Sequence, residues 1–266
     1  MAQVITGVVN ITNYLIETDH TDPRTRDWFW TGSLWRPFLL MCFYYYFVKF
    51  LGPWFMKNRQ PYNLDTVLKV YNVFQILYSA FGVYIVIKVC YMDGQYSLIC
   101  QPIDKRNTAQ TYAEMLCVWY YYMAKITDLL DTVFFILRKK FKQASFLHVY
   151  HHTGMIITGL IGTRYVPGGH AVSLGAVNSF VHAIMYTYYL LSALDKKFTE
   201  AKWKRYITQL QMVQFVCLIV HFSLPFLFPC GYPLWPCAII VPQYIFMLAL
   251  FYDFYRKAYG NKPKQT

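Results

Sequence analysis

Charge is the scarcest property of this chain. Only 14% of its 266 residues are charged, against 56% hydrophobic and 20% aromatic. That balance excludes an ordinary soluble domain, and several apolar runs reach the roughly 20 residues a helix needs to cross about 30 Å of hydrocarbon. No internal repeat or low-complexity tract is visible, which excludes a solenoid or a disordered linker. Cysteine is sparse, and none of the seven has the spacing of a zinc site. No basic segment precedes the first apolar run, so an uncleaved first helix is expected rather than a removed signal peptide.

Seven apolar runs read as membrane-spanning helices, at about 33–51, 67–91, 114–137, 147–165, 172–194, 206–228 and 235–256. The connections are short. The whole chain, 1–266, is therefore expected to form one all-α polytopic membrane domain, with an N-terminal segment of about 1–32 on one side and a tail of about 257–266 on the other.

A net charge of +12 would suggest nucleic acid in a soluble protein, but its distribution here follows the positive-inside rule, and no nucleic-acid partner is expected. Seventeen of the 25 Lys and Arg residues fall on one side: Lys49, Lys57, Arg59 and Lys69; Arg138, Lys139, Lys140 and Lys142; Lys196, Lys197, Lys202, Lys204 and Arg205; Arg256, Lys257, Lys262 and Lys264. That side is cytosolic. The luminal side has Arg24, Arg26, Arg36, Lys88, Lys105, Arg106 and Arg164, which leaves Lys125 inside a span. An odd number of helices then places the N-terminus in the lumen and the C-terminus in the cytosol.

Two short signals agree with this orientation. Asn10-Ile11-Thr12 is a glycosylation acceptor on the luminal side, and the tail Lys262-Pro263-Lys264-Gln265-Thr266 carries a dilysine pattern similar to those that retain proteins in the endoplasmic reticulum membrane. Cys42, Cys90, Cys117, Cys217 and Cys237 fall in or beside spans and read as packing residues. Cys100 and Cys230 lie in luminal connections, where a disulfide can persist.

Against this apolar background the polar residues stand out. His148, His151 and His152 form H-x-x-H-H at the start of the fourth run, and the i,i+3 and i,i+4 spacings can bring all three rings to one helix face. Such a triple suits metal ligation or acid/base and nucleophilic chemistry. The third run carries Lys125, Asp128, Asp131 and Thr132, with 125, 128 and 132 expected on one face and Asp131 beside it. Two carboxylates and one ammonium leave a charge unbalanced unless a proton or another cation is supplied. The fifth run carries Asn178, His182 and Tyr186 at i, i+4 and i+8; the sixth carries Thr208, Gln211 and Gln214. Any of these amides can act as interhelical glue. At 1.5 Å per residue, however, all four clusters fall between the cytosolic boundary and the bilayer midplane, which points to a lined cavity.

The residues by themselves leave three readings. A membrane di-iron desaturase or hydroxylase also uses H-x-x-H-H, but such sites need several histidine boxes, and beyond the triple only His182 lies at the right depth; His20, His170 and His221 fall at the luminal side. A seven-helix receptor or transporter matches the topology, yet its pocket would open to the outside, whereas these groups lie toward the cytosol. The third reading is a membrane enzyme acting on a substrate held from the cytosolic side.

At these motifs the resemblance becomes specific. K-x-x-D-x-x-D-T at 125–132, F-L-H-V-Y-H-H-T at 146–153, N-x-x-x-H-x-x-M-Y-x-Y-Y at 178–189 and T-x-x-Q-x-x-Q at 208–214 resemble, in order and placement, the ELO family of very-long-chain fatty acid elongases. The resemblance spans the chain to its dilysine tail. One departure is visible: the family usually has Glu where this chain has Asp128, which leaves the reach of that carboxylate open.

The resemblance implies a 3-oxoacyl-CoA synthase that joins a fatty acyl-CoA to malonyl-CoA with loss of carbon dioxide and CoA. It implies seven helices, six of them enclosing a substrate tunnel closed at the luminal end, with neither metal nor cofactor. His151 would attack the thioester to form an acyl-imidazole, with His182 as the second essential imidazole. His148 and His152 would orient them, Asp128 or Asp131 would fix a tautomer, and Asn178 and Lys125 would stabilise an oxyanion or enolate. Thr132, Tyr186, Gln211 and Gln214 would line the substrate site, with Arg138, Lys139, Lys202, Lys204 and Arg205 holding the CoA phosphates. A Cys100–Cys230 disulfide is implied as well. The implied partners are the two CoA thioesters and the bilayer, with other enzymes of the elongation cycle or a second copy of the chain as further candidates.

Overall fold

The computed structural model describes residues 21–199 and 201–260. The acceptor triplet at Asn10, His20 and the dilysine tail at Lys262 and Lys264 lie outside them. Every regular element among the described residues is helical. Helix α1 runs Trp35–Met56 and α2 Asp65–Asp93, each with a π-helical stretch. Then follow α3 (Ala109–Thr127), α4 (Leu130–Leu137), α5 (Phe146–Tyr165), α6 (Val172–Leu194), α7 (Ala201–Leu227) and α8 (Leu234–Tyr259).

Local chemistry sets the starts that matter to the site. Thr108 and Thr111 form a capping box on α3, each hydroxyl accepting the other's backbone N–H at 3.1 Å. The Ser145 hydroxyl accepts the His148 N–H at 3.3 Å, so α5 begins just ahead of the first imidazole.

The third run is not the single helix expected. Residues 128–129 form a turn between α3 and α4. The N–H groups of Asp131 and Thr132 reach the carbonyls of Asp128 and Leu129, three residues back, at 3.2 Å each. This tighter winding rotates α4 relative to α3. As a result Asp131, and not Thr132, shares the side that Asp128 faces.

Four helices, α1, α2, α7 and α8, are long and apolar enough to cross a membrane. Their outward faces expose rows of large apolar side chains, among them Phe43, Phe50, Leu77, Phe81, Val216 and Ile245. A soluble monomer does not leave so much apolar surface uncovered; this is a polytopic membrane protein. The helical segments coincide with the seven expected runs, but α3 with α4, α5 and α6 fall short of the same apolar measure. These three carry the charged and imidazole clusters and lie against the other helices.

Helix α2 packs along α6, α7 along α8, and α3 along α5. The last pair approaches closely because Gly159 has no side chain: a Cβ there would meet the Tyr122 ring at 2.6 Å. The helix ends away from the basic connections are tied together. Cys100, between α2 and α3, is disulfide-bonded to Cys230, between α7 and α8. Arg164, which sequence placed among the luminal loop charges, is buried at the end of α5, and its guanidinium donates to the Thr31 carbonyl. His170 and His221 stack at 3.7 Å, each ring Nε2 bonding the other's backbone carbonyl oxygen.

The disulfide closes a sequence separation of 130 residues, and its removal by Cys100→Ser is expected to lower stability by about 2–5 kcal/mol. Thermal unfolding in detergent with and without the substitution measures this. Non-reducing peptide mapping that returns both cysteines as free thiols would contradict the linkage.

Candidate active site

Four helices bring the sequence-predicted polar residues together. At the centre is Asp128, 2% exposed, in the α3–α4 turn. Its Oδ2 accepts from Lys125 Nζ at 2.8 Å and lies 3.5 Å from His182 Nδ1. Its Oδ1 accepts from Gln75 Nε2 at 2.9 Å and lies 3.2 Å from the Tyr186 hydroxyl. The shorter carboxylate thus reaches partners from α2, α3 and α6. The question left by Asp at this position is answered by the turn, which carries its backbone toward them.

Lys125 Nζ also donates to Asn178 Oδ1 at 2.8 Å, and the Tyr121 hydroxyl donates to the same oxygen at 3.2 Å. With its carbonyl doubly engaged, the Asn178 amide is fixed and its NH2 group is left to donate. Asp131 Oδ2 lies 2.7 Å from the Tyr186 hydroxyl.

The imidazoles of α5 form the opposite wall. His148 Nε2 lies 2.8 Å from the Thr132 hydroxyl, which is 2.8 Å from the Tyr44 hydroxyl of α1. Thr132 is fully buried, so its role in the structure is to hold His148. The His152 ring packs against His148 at 4.3 Å between centroids. His151 differs from both: its Nδ1 is buried without a hydrogen-bond partner, and its ring lies among Phe215 and Phe251. A buried polar atom left unpaired beside such a cluster marks a point where a ligand fits.

On α7, Gln214 is buried with Oε1 unpaired, and Gln211 Nε2 reaches the Met185 sulfur at 3.6 Å. An apolar cavity of about 50 Å³ lies beside the polar cluster, lined by Tyr121, Gly159, Gly162, Leu174, Tyr232 and Ile240 among others. Tyr121 lines that cavity and bonds Asn178, so the two regions adjoin.

The constellation of a tethered imidazole triple opposite a Lys–Asp–Asn–His cluster is matched at the level of the whole chain. A family model for ELO, the GNS1/SUR4 family, matches residues 29–266. The chain belongs to the ELO family. A very long chain fatty acid elongase of Aedes aegypti is 39% identical over 97% of this chain and 72% of its own length. Very long chain fatty acid elongase 7 of Drosophila melanogaster is 39% identical over 91% and 74%, and elongase 4 of Mus musculus 40% over 92% and 78%.

In this ELO chain the basic residues gather at one end of the site. Arg138 lies 3.9 Å from Asp65, Lys139 Nζ donates to the Lys57 carbonyl at 3.4 Å, and Arg205 Nε donates to the Tyr255 hydroxyl at 2.6 Å. Lys140 belongs with them. Partial burial, then the charge of Arg138, lowers the proton affinity of its amine, and the charge of Lys204 adds to this against Asp65. The ends of α4 and α7 therefore bring their cations to one mouth together with Lys202, which is exposed there. Sequence reasoning did not place Lys140 at the site, although it lies in the same basic run.

Gln75 and Tyr71, both buried on α2, were also missed. Gln75 donates to Tyr71 as well as to Asp128, and the Tyr71 hydroxyl lies 3.5 Å from that of Tyr186. The available signal was Asn72 with Gln75 in an otherwise apolar run. The family match favours the ELO reading over the di-iron one.

Proposed function

We infer that this chain condenses a long-chain fatty acyl-CoA with malonyl-CoA to give a 3-oxoacyl-CoA two carbons longer, with carbon dioxide and CoA released. Membership of the ELO family carries this reading, and the unpaired His151 ring and the Lys125–Asp128–Asn178–His182 cluster support it. A CoA nucleotide binds at the cytosolic mouth, where Arg138, Lys139, Lys202, Lys204 and Arg205 supply cations for its phosphates. The acyl chain passes inward among apolar side chains, past Gln211 and Gln214, toward the cavity beyond Tyr121. In this reading six helices of a seven-span bundle enclose that path, and the pairing of α2 with α6, α3 with α5, and α7 with α8 supports it.

The thioester then stops at the imidazoles. His151 attacks it and becomes an acyl-imidazole, held in register by His152 and by His148, which Thr132 and Tyr44 anchor. Asp128 orients His182 through Nδ1 and leaves Nε2 for the substrate. The Asn178 NH2 group and the Lys125 ammonium stabilise the oxyanion and the enolate formed when malonyl-CoA loses carbon dioxide. The chemistry requires no resident cofactor. An elongation assay across a panel of acyl-CoA lengths with labelled malonyl-CoA tests reaction and chain-length preference together; absence of malonyl incorporation from every acyl-CoA would remove the reading.

We place the protein in the endoplasmic reticulum membrane with a luminal N-terminus, as a candidate partner of the other elongation enzymes or of a second copy. Glycan addition is then expected at Asn10 and at no sequon engineered beside Lys264. Modification of the engineered site would put the histidines on the wrong side for cytosolic CoA.

A further inference from the structure

The proposed reaction consumes one proton, and the covalent route assigns it to the second half. In the first half, the thioester C–S bond breaks as the C–N bond to His151 forms, and the imidazole proton leaves on CoA as its thiol; no net proton is needed. In the second, the malonyl carboxylate departs as carbon dioxide, and its electron pair forms the new C–C bond. The acyl C–N bond breaks, and its pair returns to the His151 nitrogen. That nitrogen must take up a proton from outside the substrates, in a site whose central carboxylate is 2% exposed.

We propose that Asp131, Tyr186 and Asp128 form a relay that carries this proton from the cytosolic side to His182, which passes it to His151; the proposal rests on the covalent reading above. The groups lie in line. Asp131 Oδ2 is 2.7 Å from the Tyr186 hydroxyl, that hydroxyl is 3.2 Å from Asp128 Oδ1, and Asp128 Oδ2 is 3.5 Å from His182 Nδ1. Exposure falls along the same path: Asp131 is partly exposed, whereas Asp128, Tyr186 and His182 are buried.

Proton accounting gives the chain its direction. The Tyr186 hydroxyl has one hydrogen and two carboxylates within reach, so it donates fully to only one. Asp128 already has Lys125 as its counter-charge. Among the described residues no Lys, Arg or His is paired with Asp131, which leaves a proton as its neutralising charge. Protonated Asp131 donates to Tyr186 and Tyr186 to Asp128; as His182 gives its Nε2 proton to His151, its Nδ1 takes one from Asp128, so each shift of the chain moves one proton inward. Lys125 and Gln75 grip the two oxygens of Asp128 and keep the carboxylate bridging Tyr186 and His182.

The test separates the two half-reactions in the full-length detergent-purified protein. Tyr186→Phe keeps the ring and removes the hydroxyl; Asp131→Asn keeps the shape and removes the transferable proton. In both, the step that follows addition of malonyl-CoA is expected to slow roughly 10- to 100-fold more than acyl-enzyme formation does, with unchanged malonyl-CoA KM. Equal slowing of both halves, as a structural role would produce, overturns the relay, as does no slowing of either. If the unaltered protein forms no acyl-enzyme, the covalent reading fails. The relay, which delivers its proton to the His151 nitrogen that the acyl group leaves, then falls with it.

Discussion

Mixing acyl-CoA with this protein in the absence of malonyl-CoA is expected to release CoA in a single burst, stoichiometric with enzyme, and to leave the acyl group on His151. His151→Ala is expected to abolish that burst and to lower elongation by about 10³-fold or more, because His151 is the member of the triple with a fully buried ring nitrogen that has no hydrogen-bond partner. His148 is tethered to Thr132 and His152 is packed against His148, so neither substitutes for it. The folded state of the variant, followed by its thermal unfolding, is expected to match the unaltered protein closely. A variant that retains the burst would move the nucleophile elsewhere. A wild-type protein that releases CoA only after malonyl-CoA is added would instead make His151 a general base in a ternary complex, and the condensation itself would stand.

The second large effect concerns stability. Asp128→Ala strips Lys125, Gln75 and Tyr186 of their common acceptor while all remain buried, and leaves an uncompensated ammonium at membrane depth. A loss of about 3–5 kcal/mol is expected. The double variant Lys125→Met with Asp128→Leu removes both charges and replaces them with apolar volume, and is expected to recover most of that stability. It should remain inactive. Stability regained without activity would assign the pair to the chemistry; a double variant no more stable than Asp128→Ala would show that the charge balance is not what the pair supplies.

The motifs and the architecture were legible to different degrees. Helix positions followed from apolar runs, because a segment in hydrocarbon has no other way to satisfy its backbone. The break at 128–129 was not legible: K-I-T-D-L-L-D-T has no glycine or proline to mark a turn, and a uniform helix puts Thr132 on the side of Asp128. The i→i+3 bonds of that turn exchange Thr132 for Asp131. Gln75 was passed over because one amide in an apolar helix is as readily glue as site, and only its contact with Asp128, 53 residues away in sequence, distinguishes the two.

By itself, the sequence determined what depends on residue type and local spacing: that the chain lives in a bilayer, that its cations gather in the connections on one side of the apolar runs, and that histidine, carboxylate, amide and lysine meet at one depth. Those properties belong to individual side chains and their solvent, and need no knowledge of neighbours. Tertiary structure alone decided which group touches which. It tethered His148 and left His151 unpaired, gave Asp128 partners from three helices, and set Tyr186 between two carboxylates. Hydrogen bonds act over about 3 Å, so which bonds form depends on how helices distant in sequence pack together.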